Sequence, residues 1–259
     1  MGYILSIKLA MLFFPALAFV ITLPYMIANY RKYGSVNKLR TVIVYSFALY
    51  LLTVYLLVIL PLPNPESIHT RYTDMLNLVP FAFVIDFIKN SPFALSNSAS
   101  WIMALKHPSF YVPAFNVLML IPFGIYMRYY FKCSFKKTML LTALLSLFFE
   151  LTQLSGLYFI YSGPYRLGDI DDIIQNTTGG CLGYLIGWFA VKILPSRDRI
   201  DEKSLELGTR VSGIRVLLSL IIDILIVFIP YSLSKTEIPL WSFIGGYFAL
   251  IPLLNGKTF

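Results

Sequence analysis

Residues 41–60 read Thr41-Val42-Ile43-Val44-Tyr45-Ser46-Phe47-Ala48-Leu49-Tyr50-Leu51-Leu52-Thr53-Val54-Tyr55-Leu56-Leu57-Val58-Ile59-Leu60, with no charged side chain and no proline. A bilayer's hydrocarbon core is about 30 Å thick and takes roughly 20 helical residues to cross. The stretch is apolar throughout rather than alternating, which argues against a transmembrane strand. Outward from it, runs of the same character lie near Ile4–Ile27, Val112–Phe131, Thr138–Leu157, Ile173–Leu194 and Ile214–Leu233, with a shorter one at Pro239–Leu254. Composition agrees: 58% of the 259 residues are hydrophobic and 13% are charged, against about 25% charged in a soluble domain. The expected fold is an all-α, polytopic membrane helical bundle of about seven transmembrane helices.

The net charge is +8, and its placement says more than its size. Arg31, Lys32, Lys38 and Arg40 lie between the first two runs, and Arg128, Lys132, Lys136 and Lys137 between the third and fourth. Lys192, Arg197, Arg199, Lys203, Arg210 and Arg215 follow the fifth. All three basic connections fall on one side of a seven-span chain, so the positive-inside rule puts the N-terminus outside. Orientation and anionic lipid account for these bases without nucleic acid. The first run carries only Lys8 and lacks the charged start of a signal peptide, so it reads as a permanent span. Met1-Gly2 with Ser6 fits a myristoylation pattern, which the adjoining span overrides. Cys133 and Cys181 fall on opposite sides of the membrane and are not expected to pair.

Two stretches interrupt the apolar pattern. The outer one, Pro61–Tyr111, contains Ala82-Phe83-Val84-Ile85-Asp86-Phe87-Ile88-Lys89 and Trp101-Ile102-Met103-Ala104-Leu105-Lys106. These pieces are too short to span and read equally as re-entrant or interfacial helices in the 61–111 loop, or as a small cap on the bundle. The inner one, Pro195–Thr209, is charged and suits a cytoplasmic linker (residues 196–212) or a surface helix. The sequence shows no internal repeat and fixes no oligomeric state.

Ionisable groups inside spans cost about 2.5–3.5 kcal/mol at a helix centre, so those present are functional candidates. Glu150 lies about 13 residues beyond Lys137, about 20 Å along the span at roughly 1.5 Å per residue. Gln153 is one turn further, and Asn116 sits just inside the outer end of the third span. Tyr165-Arg166-Leu167-Gly168-Asp169-Ile170-Asp171-Asp172 leads into the fifth span, where Asp169, Asp172 and Asn176 are spaced to share one helix face. Gly179, Gly183 and Gly187 continue that face as a small-residue stripe for close helix approach.

The expected site is an outer polar cluster of Asn116, Glu150, Gln153, Arg166, Asp169, Asp172 and Asn176. Arg166 is the natural partner for a buried Glu150 carboxylate. Plain structural roles compete: Asp169 and Asp172 as helix caps, Gln153 and Asn176 as interhelical glue. His69 and His107 lack metal-ligand spacing. No G-x-S-x-G, Walker or H-E-x-x-H motif occurs, and neither a metal nor a cofactor is implied.

At these residues the chain resembles the VanZ-like family of bacterial membrane proteins. The resemblance rests on Asn77-Leu78-Val79-Pro80-Phe81, Asn116-Val117-Leu118-Met119-Leu120-Ile121-Pro122-Phe123-Gly124 and Glu150-Leu151-Thr152-Gln153. It continues through Arg166-Leu167-Gly168-Asp169-Ile170-Asp171-Asp172-Ile173-Ile174-Gln175-Asn176 with Gly179, Gly180 and Gly183, covering residues 1–195 as a five-helix membrane domain. It implies a multi-pass protein of the bacterial plasma membrane associated with low-level resistance to teicoplanin and related lipoglycopeptides. Residues 213–259 resemble the start of an RDD-family membrane domain, through Gly213-Ile214-Arg215, Asp223 and Asn255-Gly256-Lys257-Thr258-Phe259. The expectation there is a partial, truncated two-helix segment.

Three functions follow as expectations. The first is an outward-facing site that engages membrane lipid, a lipid-linked cell-wall intermediate or a lipoglycopeptide. There Arg166 would meet an anionic group, Glu150 and Asp172 would serve in hydrogen bonding or proton transfer, and Asn116 and Asn176 would orient. The second makes Glu150 and Asp172 the candidate catalytic acids of an enzyme acting on a cell-wall or lipid intermediate. The third, transport, needs a polar path across the bilayer, and the inner halves of the core spans are nearly all apolar.

Overall fold

Asn37 starts the helix that holds the uncharged stretch. Its side-chain oxygen accepts from the N–H groups of Leu39 (2.9 Å) and Arg40 (3.3 Å), satisfying donors that a helix start leaves open. The computed structural model describes residues 2–68, 70–209, 213–233 and 240–255. Its helices are α1 (Gly2–Tyr33), α2 (Lys38–Ile59), α3 (Ala82–Asn90), α4 (Ser98–Leu105), α5 (Pro108–Tyr129) and α6 (Phe135–Leu154). A single turn α7 (Gly156–Phe159) follows, then α8 (Ile170–Ile193), α9 (Arg197–Gly208), α10 (Gly213–Leu233) and α11 (Leu240–Asn255). Among the described residues the extended structure is one two-residue parallel pairing, β1 (Leu76–Asn77) with β2 (Gly168–Asp169).

Helices α2, α5, α6 and α8 begin three or four residues before the apolar runs that announced them. The reason is polar capping: Ser134 accepts from the Lys137 N–H at 3.4 Å, and Asp169 from the Asp171 N–H at 2.9 Å. Among the described residues four helices, α1 (from Ile4), α2, α5 and α6, are long and apolar enough to cross a membrane. Helix α8 passes that test only together with α9, from which it is bent by 47°. The described residues thus support four or five spans by length and composition where about seven were expected. Helix α8 is diluted by Asp171, Asp172, Gln175, Asn176, Thr177 and Thr178. In α10 the shorter apolar helix is Ser219–Leu233, and α11 has 16 residues. Pro239, Arg210 and Gly256–Phe259 lie outside the described residues, as does the side chain of Arg215.

Both short pieces of the 61–111 connection are helical, α3 with 9 residues and α4 with 8. The charged stretch 197–208 is helix α9.

The chain divides into two compact units, Met1–Tyr25 with Asn37–Asp201, and Met26–Val36 with Glu202–Phe259. In the first, Val54, Leu120, Phe123, Met127 and Phe149 form the core between α2, α5 and α6. Large apolar side chains such as Phe19 (83% exposed) face outward, as they do where lipid is the solvent. Helix α1 leans on α2 through Thr22 and Tyr45, whose hydroxyls are 2.6 Å apart.

The glycine stripe of α8 packs on α5 at backbone distance. A Cβ at Gly179 would run into the carbonyl of Val117, and one at Gly183 into that of Ile121. Gly180 abuts Thr142 of α6, so α8 lies tight against two neighbours.

The unit's two ends differ in charge. Arg40 pairs with Asp201, Lys132 with Asp198 (2.5 Å), and Ile43, Tyr129, Tyr130 and Ile200 cluster beside them. This end holds the α2 N-terminus and the α5 C-terminus; the opposite end holds the polar cluster. In the second unit, Ser35 donates to the Ser204 carbonyl at 2.5 Å and the Tyr247 hydroxyl to Asp223.

Candidate functional site

The apolar ends of α2, α5, α6 and α8 converge with polar side chains at their tips. Asn116 of α5, Glu150 and Gln153 of α6, Arg166 of the α6–α8 connection, and Asp172 and Asn176 of α8 line one cavity of about 130 Å³. Six of the seven expected residues therefore share it. Glu150 is 7% exposed, and one of its oxygens accepts the Asp169 N–H at 3.0 Å. Asn116 Nδ2 donates to Asp172 (2.7 Å) and to Gln175 (2.9 Å), locking α5 to α8. Gln153 Nε2 donates to the Val58 carbonyl at 2.8 Å, tying α6 to α2. Asn176 Nδ2 donates to Ser146 Oγ at 2.9 Å, while its Oδ1 is buried with no partner among the described residues.

Arg166 departs from its expected pairing. It lines the cavity with Glu150, yet its Nη1 donates to the Val58 carbonyl (2.8 Å) and its Nη2 to the Leu60 carbonyl (2.9 Å). The last carbonyls of α2 have no intrahelical donors, and a guanidinium fork satisfies two at once. Arg166 thus closes the C-terminal end of α2 instead of forming an ion pair with Glu150.

Asp169 is also displaced from the expected face. As N-cap of α8 its backbone is extended (φ −120°, ψ 124°), so helical spacing does not govern its side chain. It accepts from Asp171 N and, at 3.1 Å, from Asn77 Nδ2, beside the β1–β2 pairing. It lines a second cavity of about 330 Å³ together with Asp86, Asp171 and Asp172.

Sequence reasoning missed three members. Asp171, 2% exposed, accepts from the N–H groups of Phe81 (2.6 Å) and Phe83 (3.1 Å), holding the start of α3 where Phe81 adopts φ 62°. Asn77 and Gln175 complete the bridges just described. Their signal was present as polar residues inside the quoted motifs, but their partners lie about 60–90 positions away and no spacing rule reaches them. A third cavity of about 410 Å³, lined by Phe81, Phe87, Phe110, Val117 and Ile174, is almost wholly apolar. It shares Phe83, Ser109, Pro113 and Gln175 with the second, which shares Val112 and Asp172 with the first.

In the connection outside the spans, the Tyr165 hydroxyl donates to the Ile59 carbonyl at 3.5 Å. Burial pushes its pKa up from 10.0 to about 12, opposed by the Arg166 guanidinium. His107 caps α5, accepting from the Ser109 N–H at 3.4 Å; His69 lies outside the described residues. Cys133 and Cys181 are free thiols. Among the described residues no three His, Cys, Asp or Glu side chains are grouped to hold a metal ion.

A family model described as VanZ/LLP1 matches residues 47–194, a span that contains every residue of the first cavity. No curated protein and no solved structure matches the chain.

Proposed function

The chain belongs to the VanZ/LLP1 family, and we propose that it lowers susceptibility to glycopeptide antibiotics of the teicoplanin type. In this reading it is a multi-pass protein of the bacterial plasma membrane. Its first cavity faces outward and engages a lipid-linked or amphiphilic molecule. One observation carries the reading: six polar residues from α5, α6, α8 and the α6–α8 connection line a single hollow. Glu150, Gln153 and Asn176 are buried and the other three half-buried, which costs stability unless they serve a ligand or one another. The charge asymmetry of the first unit supports the orientation. Arg40, Lys132 and Arg197 lie at the end opposite the cavity, and positive residues favour the cytoplasm.

The test is a teicoplanin susceptibility assay in a sensitive host. The unaltered chain is expected to raise the inhibitory concentration several-fold. Glu150→Gln and Asp172→Asn are expected to return it to the vector level at equal membrane abundance. Full resistance in both variants would remove the cavity from the function.

A second reading, an enzyme acting on a cell-wall or lipid intermediate, draws on Glu150 and Asp172 lining one hollow. Mass spectrometry of envelope lipids and peptidoglycan separates the two: identical profiles with and without the protein argue against catalysis. The RDD-like reading of residues 213–259 belongs to the proposal as well. It rests on the sequence resemblance at Gly213-Ile214-Arg215 and Asp223.

A further inference from the structure

Each terminal side-chain nitrogen around the first cavity donates to at least one protein acceptor, and several oxygens there have no protein donor among the described residues. Asn116 Nδ2 serves Asp172 and Gln175, Gln153 Nε2 serves Val58, and Asn176 Nδ2 serves Ser146. Both terminal nitrogens of Arg166 are turned onto the carbonyls of Val58 and Leu60. On the acceptor side, Glu150 uses one oxygen for Asp169 N–H and Asp172 one for Asn116. The second oxygen of each carboxylate has no protein donor among the described residues. Neither does Asn176 Oδ1, although Asn176 is 3% exposed. Among the described residues Arg166 is the one cation lining the hollow, and it stands against two carboxyl groups.

We infer that the cavity takes the ammonium head of an amphiphile whose apolar part lies in the aromatic hollow beside α3; this rests on the reading of the cavity as the functional site. Glu150, buried, and Asp172, half-buried, set two acidic groups against one guanidinium, and Arg166, hydrogen-bonded to α2, forms no ion pair with either among the described residues. An ammonium group offers several donors for the open oxygens and the missing charge together. A phosphate or carboxylate head would meet Glu150 and Asp172 as like charges, with Asp86, Asp169 and Asp171 in the adjoining hollow adding to the repulsion. At about 130 Å³ the first cavity has room for a head of a few non-hydrogen atoms. The third, about 410 Å³ and lined by Phe81, Phe87 and Phe110, suits an apolar chain or ring. The second hollow shares walls with both and lies between them.

The test uses the full chain, purified in an uncharged detergent, and compares dodecylammonium, dodecyl phosphate, butylammonium and ammonium chloride by saturable shifts in thermal unfolding. The net charge of +8 favours anions non-specifically, so a preference for the cation is informative. Dodecylammonium is expected to stabilise the protein where dodecyl phosphate at the same concentration does not. Butylammonium and ammonium chloride should need roughly tenfold more or higher, and Glu150→Gln and Asp172→Asn should each weaken dodecylammonium roughly tenfold. The head-group comparison in the unaltered chain needs no variant, so a misfolded variant does not void it. Equal or tighter binding of dodecyl phosphate, sensitive to both variants, overturns the ammonium head but keeps the cavity as a site. Butylammonium binding as tightly as dodecylammonium overturns the apolar tail. Binding that neither variant changes, or no binding at all, overturns the inference, and the susceptibility assay then judges the functional reading separately.

Discussion

Asp171 is the residue whose role its spacing concealed. It lies between Asp169 and Asp172 in the sequence, and helical geometry assigns it to a different face from theirs. Both its oxygens are used, by the N–H groups of Phe81 and Phe83. Asp171→Ala leaves two backbone donors without their acceptor and is expected to cost about 1–3 kcal/mol for each that stays dry. Asp171→Asn keeps one acceptor oxygen and should lose less; the midpoint of thermal unfolding in detergent measures both. At this scale the site was legible where depth decided. Asn116, Glu150, Gln153, Asp172 and Asn176 could be placed at one level by counting residues along helices. Arg166 was placed correctly beside the cavity but given the wrong partner. The open carbonyls at the end of α2 compete for a guanidinium, and a carboxylate pair is the more familiar choice only when such carbonyls are already satisfied.

Helix α8 shows why the elements themselves were easier to read. An uninterrupted apolar run is a local property, and each expected run lies largely within one observed helix. The stripe Gly179, Gly183 and Gly187 marked a close contact correctly, though its partner helix, α5, is fixed by tertiary packing that no local pattern encodes. Gly183→Ala brings a Cβ onto the Ile121 carbonyl, which is backbone and cannot step aside. The expected cost is about 1–3 kcal/mol by overpacking, seen as a lower unfolding midpoint. Gly245→Ala is the matched control: nothing lies within 4 Å of its added methyl, and no loss is expected. The span count was less legible, because the polar residues that build the site weaken the apolar signal of α8, and the apolar helices Ser219–Leu233 and α11 are short among the described residues.

For the whole molecule, the sidedness of the membrane is the property to measure. Ser96 lies exposed in the connection between α3 and α4, and Cys133 lies half-buried in that between α5 and α6. A Ser96→Cys change in a Cys133→Ser, Cys181→Ser background is expected to react with a membrane-impermeant maleimide on intact cells. The native Cys133 thiol, in a Cys181→Ser background, is expected to react only after the membrane is opened. The opposite pattern inverts the orientation and turns the cavity toward the cytoplasm. The seam between α5 and α8 bears on what the cavity can accept. With carbonyls of one helix seated on glycines of the other, those two walls have no slack, and Asn116 and Asp172 are held at a fixed gauge. Any guest larger than the resting hollow must be accommodated at its other walls, above all at Leu57 and Val58, where the far end of α2 is clasped by one arginine.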